Sequence, residues 1–304
     1  MQIKYSKAFI LLFSWIMCIP IHMKAGDNDT LLVEAFYQSL YNYRFQSADS
    51  ILRNMHSIGV NKDIIDLSNI SYSWWRIISG ENSNNDIKKL FKDIESSIKY
   101  TSGNMKPGSA SQEQILRLIM LYSYKSRLCN VNNSKLAGFS AFRQSFEYFE
   151  LLKPCIHNHC DLYNFVSGLY YALGGHIADE FPPSLLGINK NYADKNKGYK
   201  LLELSTSSDI RLIKTESNYF LSKLYLELQE NPEKASRYTQ FLINQFPDNL
   251  VFRYNHLLAL HASGKFEEAE AAYQCLAKCA RENDQLTLQQ QIHFEKEYTR
   301  LRKK

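Results

Sequence analysis

Apolar positions along this chain recur with the period of a helix. From Asp63 to Ser79 they are Ile64, Ile65, Leu67, Ile70, Trp74, Ile77 and Ile78. A repeat of three to four residues gathers them on one helical face, and Gly80 follows where that helix should stop. The same spacing predicts helices over 86–100 (Leu90, Phe91, Ile94, Ile98), 112–129, 135–152, 162–177, 195–204 and 284–302. Asp194 is placed to cap the helix at 195, and Ser208 or Asp209 the one after it. Two segments break the pattern. SGNMKPGSAS (102–111) reads as a flexible linker, and EFPPSLLGINKNYAD as a non-helical insertion stopped by Pro182 and Pro183. Only 12 Gly and 7 Pro punctuate 304 residues, so few breaks interrupt the helices.

The helices also repeat. Ala235 and Ala269 lie 34 residues apart, and the same offset aligns Pro232 with Phe266 and Lys234 with Glu268. In GKFEEAEAAY (264–273), Gly264 sits in a turn, Phe266 opens a helix, Ala269 is small and Tyr273 follows one turn later. Two antiparallel helices approach most closely where a side chain is small, and an aromatic one turn on fills the space beside it. On these residues the segment Leu250 to Arg281 resembles a tetratricopeptide unit, whose period is 34. The unit before it, 216–249, keeps Ala235 and Phe246-Pro247-Asp248 but has Thr239 where an aromatic is usual. Near the N-terminus, YRFQSA (43–48) with Leu52 repeats the signature.

The resemblance implies an all-α, tetratricopeptide-like helical-hairpin solenoid of about six helix pairs plus a C-terminal capping helix. It divides the chain into N-terminal pairs (26–101), divergent pairs carrying the Pro-Pro loop (112–206), and C-terminal units with the capping helix (207–304). The stretch Phe165 to Tyr273 is also similar to a family of divergent tetratricopeptide proteins linked to outer-membrane and lipid-inclusion biology. That similarity lies in the order GLYYALGG (168–175), a Pro-Pro-Ser loop, then Asp194, Gly198, Leu201 and Leu202.

In tetratricopeptide arrays the first helix of each pair lines a concave groove. The resemblance therefore implies groove positions Tyr37 and Tyr41, Phe220 and Leu224, and Tyr254, Leu258 and His261. These are mostly aromatic and apolar. The family's clamp for a C-terminal carboxylate uses Lys and Asn, and Tyr254 and Leu258 stand in those places, so an apolar or extended peptide is the expected ligand. The competing reading of the same residues is packing between repeats.

The first 25 residues change where the protein is expected to act. Lys4 and Lys7 precede the apolar run Ala8 to Ile19, which is the length of a signal peptide and too short to span a bilayer. Lys24-Ala25-Gly26 offers a small-residue cleavage point; an uncleaved anchor and lipidation at Cys18 are the alternatives. Loss of this leader removes Lys4, Lys7 and Lys24 and no acid, so the net charge drops from +5 to +2. No later segment reads as membrane-spanning, and no Lys/Arg block supports a nucleic-acid partner.

Candidate chemistry is sparse. CIHNHC brings Cys155, His157, His159 and Cys160 together, all soft ligands. One six-residue stretch rarely encloses a tetrahedral ion, and no second Cys/His pair follows at zinc-site spacing. The readings are a connector after Pro154, a local disulfide, or a metal site. Cys275 and Cys279 are four apart and share one helix face; packing is the first reading, with metal or disulfide roles as the others. Trp74 and Trp75 read as core rather than a stacking platform. No nucleophile elbow, metalloprotease helix, P-loop or dinucleotide fingerprint occurs. The expected function is a non-enzymatic interaction scaffold, exported to the periplasm or envelope, that binds a protein or peptide and needs no cofactor. A lipid- or glycan-handling envelope protein, suggested partly by aromatic-rich helix 139–149, is one rival. A metal or thiol enzyme built on Cys155 and Cys160 is another.

Overall fold

The structure is a computed structural model. It describes residues 27–105, 110–152, 161–180 and 189–301. The leader, CIHNHC, Pro182-Pro183 and the last three residues lie outside these. The described residues form thirteen α-helices and no strand. They are α1 (Asp27–Tyr41), α2 (Phe45–Ser57), α3 (Lys62–Ile78), α4 (Asn84–Gly103), α5 (Gln112–Val131), α6 (Lys135–Glu150) and α7 (Asp161–Glu180). A 3-10 turn (Lys190–Tyr192) leads to α8 (Lys195–Ser205), α9 (Arg211–Glu227), α10 (Pro232–Gln245), α11 (Leu250–Ala262), α12 (Phe266–Glu282) and α13 (Leu288–Leu301). The protein is all-α, with helices packed against their sequence neighbours, as the periodicity requires.

Local chemistry sets the helix starts. Asp194 accepts from the Lys197 N–H at 3.0 Å, as its position implies. Ser208 Oγ accepts from the Ile210 N–H just before α9. The expected linker at 102–111 is shorter than its composition suggests. Helix α4 runs on through Gly103, and Ser111 is already the cap of α5, forming a reciprocal capping box with Gln114.

Four inter-helix turns share one backbone device. Tyr43, Asn133, Glu230 and Gly264 have φ of 57°, 57°, 49° and 74°, and each stands two residues before the next helix. In three of them the following N–H bonds a carbonyl five residues back: Arg44 to Ser39, Ser134 to Cys129 and Lys265 to Leu260, at 2.9, 2.7 and 3.0 Å. This closes the end of the preceding helix in a Schellman-type turn. The fourth position of each following helix is small and buried: Ala48, Gly138, Ala235 and Ala269. A sharp turn plus a small crossing residue is what lets each hairpin close.

Residues divide into two compact units. Phe91–Leu221 form one; the described residues up to Leu90, with those from Ser222 onward, form the other. The N-terminal and C-terminal segments, separate parts in the sequence reading, thus share one unit.

In the unit of 91–221, Phe142, Phe146 and Phe149 of α6 are buried against Tyr170 of α7. Phe149 and Tyr170 stack with centroids 4.4 Å apart, and Tyr170 donates a hydrogen bond to Ser145. The aromatic richness of 139–149 is therefore core chemistry. Helices α7 and α8 approach so closely that a Cβ at Gly198 would lie 2.2 Å from the Ala172 nitrogen and 2.7 Å from the Gly168 oxygen. That contact explains Gly198, while a Cβ at Gly175 would lie 2.3 Å from the Lys195 nitrogen and one at Gly174 2.5 Å from the Tyr192 carbonyl oxygen, places where only hydrogen fits.

In the other unit, the N-terminal helices pack on the C-terminal ones. Tyr41 meets Trp75, Phe246 and Phe252 with centroids 5.2, 5.3 and 6.0 Å away. Asn249 accepts from the Phe252 N–H at the start of α11, and its Nδ2 donates to the Tyr41 carbonyl at 2.8 Å. Trp74 and Trp75 are both core residues. Gly80 has φ of +112° and a Cβ there would reach within 2.7 Å of His293, so the same residue satisfies a left-handed backbone and a close approach.

Candidate functional site

The groove expected from the repeat register is closed at most of its positions. Tyr37, Tyr41, Phe220 and Leu224 are 3%, 2%, 0% and 2% exposed. Tyr37 shares a 2.9 Å hydroxyl–hydroxyl bond with Ser71, Tyr41 sits in the aromatic cluster above, and Phe220 packs on Phe165. Tyr254, Leu258 and His261 on α11 are half-buried. Tyr254 lies against Phe294 of α13, and burial followed by the Glu297 charge pushes its phenol up to about 12. His261 meets the ring of Phe266 edge-on. The correction has a simple cause. At Tyr37, Tyr41, Phe220 and Leu224 the face is covered by the protein's own helices, while Tyr254, Leu258 and His261 stay partly open. Cys155, His157, His159 and Cys160 lie outside the described residues.

A polar concavity lies elsewhere in the same unit as Tyr254. A cleft of about 360 Å³ opens among α2, α3 and the entry to α13. Helix α2 contributes Phe45, Gln46, Asp49 and Arg53, and α3 contributes Tyr72 and Arg76 with Glu81 just beyond. Gln285, Thr287 and Gln290 complete the wall. One turn of helix separates Asp49 from Arg53, which pair at 3.2 Å. Arg76 Nε donates to Glu81, and its guanidinium carbon lies 5.6 Å from the Tyr72 ring centre. The Gln46 N–H donates to Gln285 Oε1 at 3.2 Å, tying α2 to the far wall.

The electrostatics are balanced. Two guanidiniums face two carboxylates, so the four charged side chains sum to zero. Burial pulls Arg76 down, but its hydrogen bond to Glu81 and that carboxylate's charge more than offset this, and it stays a cation. Burial raises the Tyr72 phenol, which is therefore neutral at physiological pH. Gln290 is 1% exposed; its Oε1 accepts from the Thr287 N–H at 3.0 Å, while its buried Nε2 has no hydrogen-bond partner. The lining holds no Ser, Cys or His, and each carboxylate is ion-paired, so what it offers is a mixture of donors and acceptors.

Only Phe45 and Gln46, inside YRFQSA, belong to a motif in the sequence, and that motif marked a repeat, not a site. The lining residues come from 45–81 and 285–290, and only the packing of the two chain ends brings them together. Among the described residues no group of three or more His, Cys, Asp or Glu is placed to hold a metal, and no helix is long and apolar enough to cross a membrane. Comparison with protein-family models, curated proteins and solved structures gives no match.

Proposed function

We propose that this protein is a non-enzymatic, tetratricopeptide-like binding scaffold, exported to the periplasm or cell envelope, that recognises a polar, extended segment of a partner protein in the cleft between α2, α3 and α13. The observation that carries the reading is the cleft wall itself, where two ion pairs, Asp49–Arg53 and Arg76–Glu81, stand beside the amide side chains of Gln46 and Gln285. A peptide main chain presents carbonyls and N–H groups in alternation, and it matches a lining of amides and paired charges better than a single-signed ligand would. Arg76 against Tyr72 supplies the planar surface on which such a segment lies. The four repeated turns support the repeat class, and the leader supports export. Phe142, Phe146 and Phe149, three of the aromatics behind the lipid alternative, are core residues and so give it no support.

The test is binding of the leaderless chain to arrays of extended peptides and of glycans, in parallel with Arg76→Ala. A peptide bound by the parent protein and held roughly tenfold more weakly by the variant supports the reading. Binding to glycans alone, or peptide binding that Arg76→Ala leaves untouched, overturns it.

A further inference from the structure

Cys275 and Cys279 stand one turn apart on α12, at the edge of the α11–α12 hairpin. Cys275 is exposed and Cys279 half-buried. Arg253 of α11 reaches across, its Nη1 lying 3.2 Å from Cys275 Sγ. Packing does not account for this arrangement, since Cys275 is open to solvent and a guanidinium is held against its sulfur.

Geometry separates the chemistries open to two such thiols. A disulfide needs Cβ atoms about 3.5–4.5 Å apart. Residues four apart on a helix hold theirs at about 5–6 Å, so oxidation in place requires the helix to unwind. A bridging metal needs no such shortening, because it inserts two metal–sulfur bonds of roughly 2.3 Å between the sulfurs. Zinc needs four ligands, and the described residues offer no cluster of three. Two thiolates alone suit a soft monovalent cation, of which copper(I) is the biological case.

We propose that Cys275 and Cys279 form a two-coordinate thiolate site for copper(I), with Arg253 as its charge partner. Binding breaks two S–H bonds, releases two protons to solvent and forms two Cu–S bonds, with no change of oxidation state. The resulting bis-thiolate carries one net negative charge, and the Arg253 guanidinium offsets it. The site is independent of the polar cleft.

The experiment is anaerobic titration of the leaderless chain with copper(I) supplied as its bicinchoninate complex, whose colour falls as the protein takes the metal. Cys275→Ser is the main variant; the residue is exposed, so the fold is kept, which far-UV circular dichroism checks. The parent chain is expected to withdraw one more equivalent than Cys275→Ser, and Arg253→Gln to weaken that equivalent by up to about fivefold. In the Cys155→Ser/Cys160→Ser chain, X-ray absorption is expected to show two sulfur neighbours. Equal uptake by the parent and Cys275→Ser overturns the proposal, as does a metal held by three or more ligands.

Discussion

Replacing Gly198 by Ala sets two effects of opposite sign against each other. Inside a helix, Ala is favoured over Gly by about 1 kcal/mol, so propensity alone predicts a more stable protein. Packing predicts the reverse. The new methyl would lie 2.2 Å from the Ala172 nitrogen, 2.6 Å from its Cα and 2.7 Å from the Gly168 oxygen, where ordinary contact begins at 3.4 Å. All three are backbone atoms of α7, so no side chain can swing away. Helix α8 must retreat by about 1 Å, opening the contacts beside it. Overpacking of this kind costs about 1–3 kcal/mol, and backbone obstacles put it at the upper end. The net loss is about 2 kcal/mol. With a urea slope of about 2 kcal/mol/M, the midpoint falls by roughly 1 M. Far-UV circular dichroism must follow it, because the described tryptophans, Trp74 and Trp75, lie in the other unit. Gly103→Ala is the control: a Cβ there meets nothing within 4 Å. If Gly198→Ala raises the midpoint as the control does, the close-approach reasoning fails.

Three further outcomes are expected. Glu230→Gly should raise stability by about 0.5–1 kcal/mol in the same assay, since an exposed non-glycine residue at φ 49° gives up left-handed strain; a loss would contradict the shared turn geometry. Asn249→Ala should cost about 2 kcal/mol, because one side chain both caps α11 and satisfies the Tyr41 carbonyl; a change under about 0.5 kcal/mol would show that the two chain ends are not joined there. His176, buried at 7% exposure beside the Tyr199 hydroxyl, has its pKa lowered from 6.5 to about 4, chiefly by burial. The unfolded chain then binds the extra proton between those values, so stability is full above pH 6.5 and is lost as pH falls toward 4, by up to about 3 kcal/mol. His176→Gln should flatten that part of the profile, measured as urea midpoints at pH 4.5 and 7.5; an unchanged slope would refute the assignment.

Much of the helical architecture was legible in one dimension. Periodicity placed the helix now seen at Lys62–Ile78 to within a residue, and Asp194 caps α8 as its position implied. The 34-residue offset between Ala235 and Ala269 marks two crossings that the structure shows as buried small residues. What misled was the step from register to exposure. Tyr37, Tyr41, Phe220 and Leu224 occupy positions that line an open groove when repeats touch only their neighbours. Here the aromatic face of α1 meets Phe246 and Phe252 from two hundred residues further on.

By itself, then, the sequence determined that the fold is all-α, that a turn lies at Gly264, and that Ala48, Ala235 and Ala269 are the small residues of three hairpins. Those properties depend on neighbours within a few residues, where 3.6-residue periodicity, caps and turn residues act. Tertiary structure alone decided which aromatic faces are covered, that the two chain ends share one core, and that Arg76, Glu81, Gln285 and Gln290 share a cleft. Periodicity says that a face must be buried; which partner buries it depends on packing between segments far apart in the chain, and no local spacing records that.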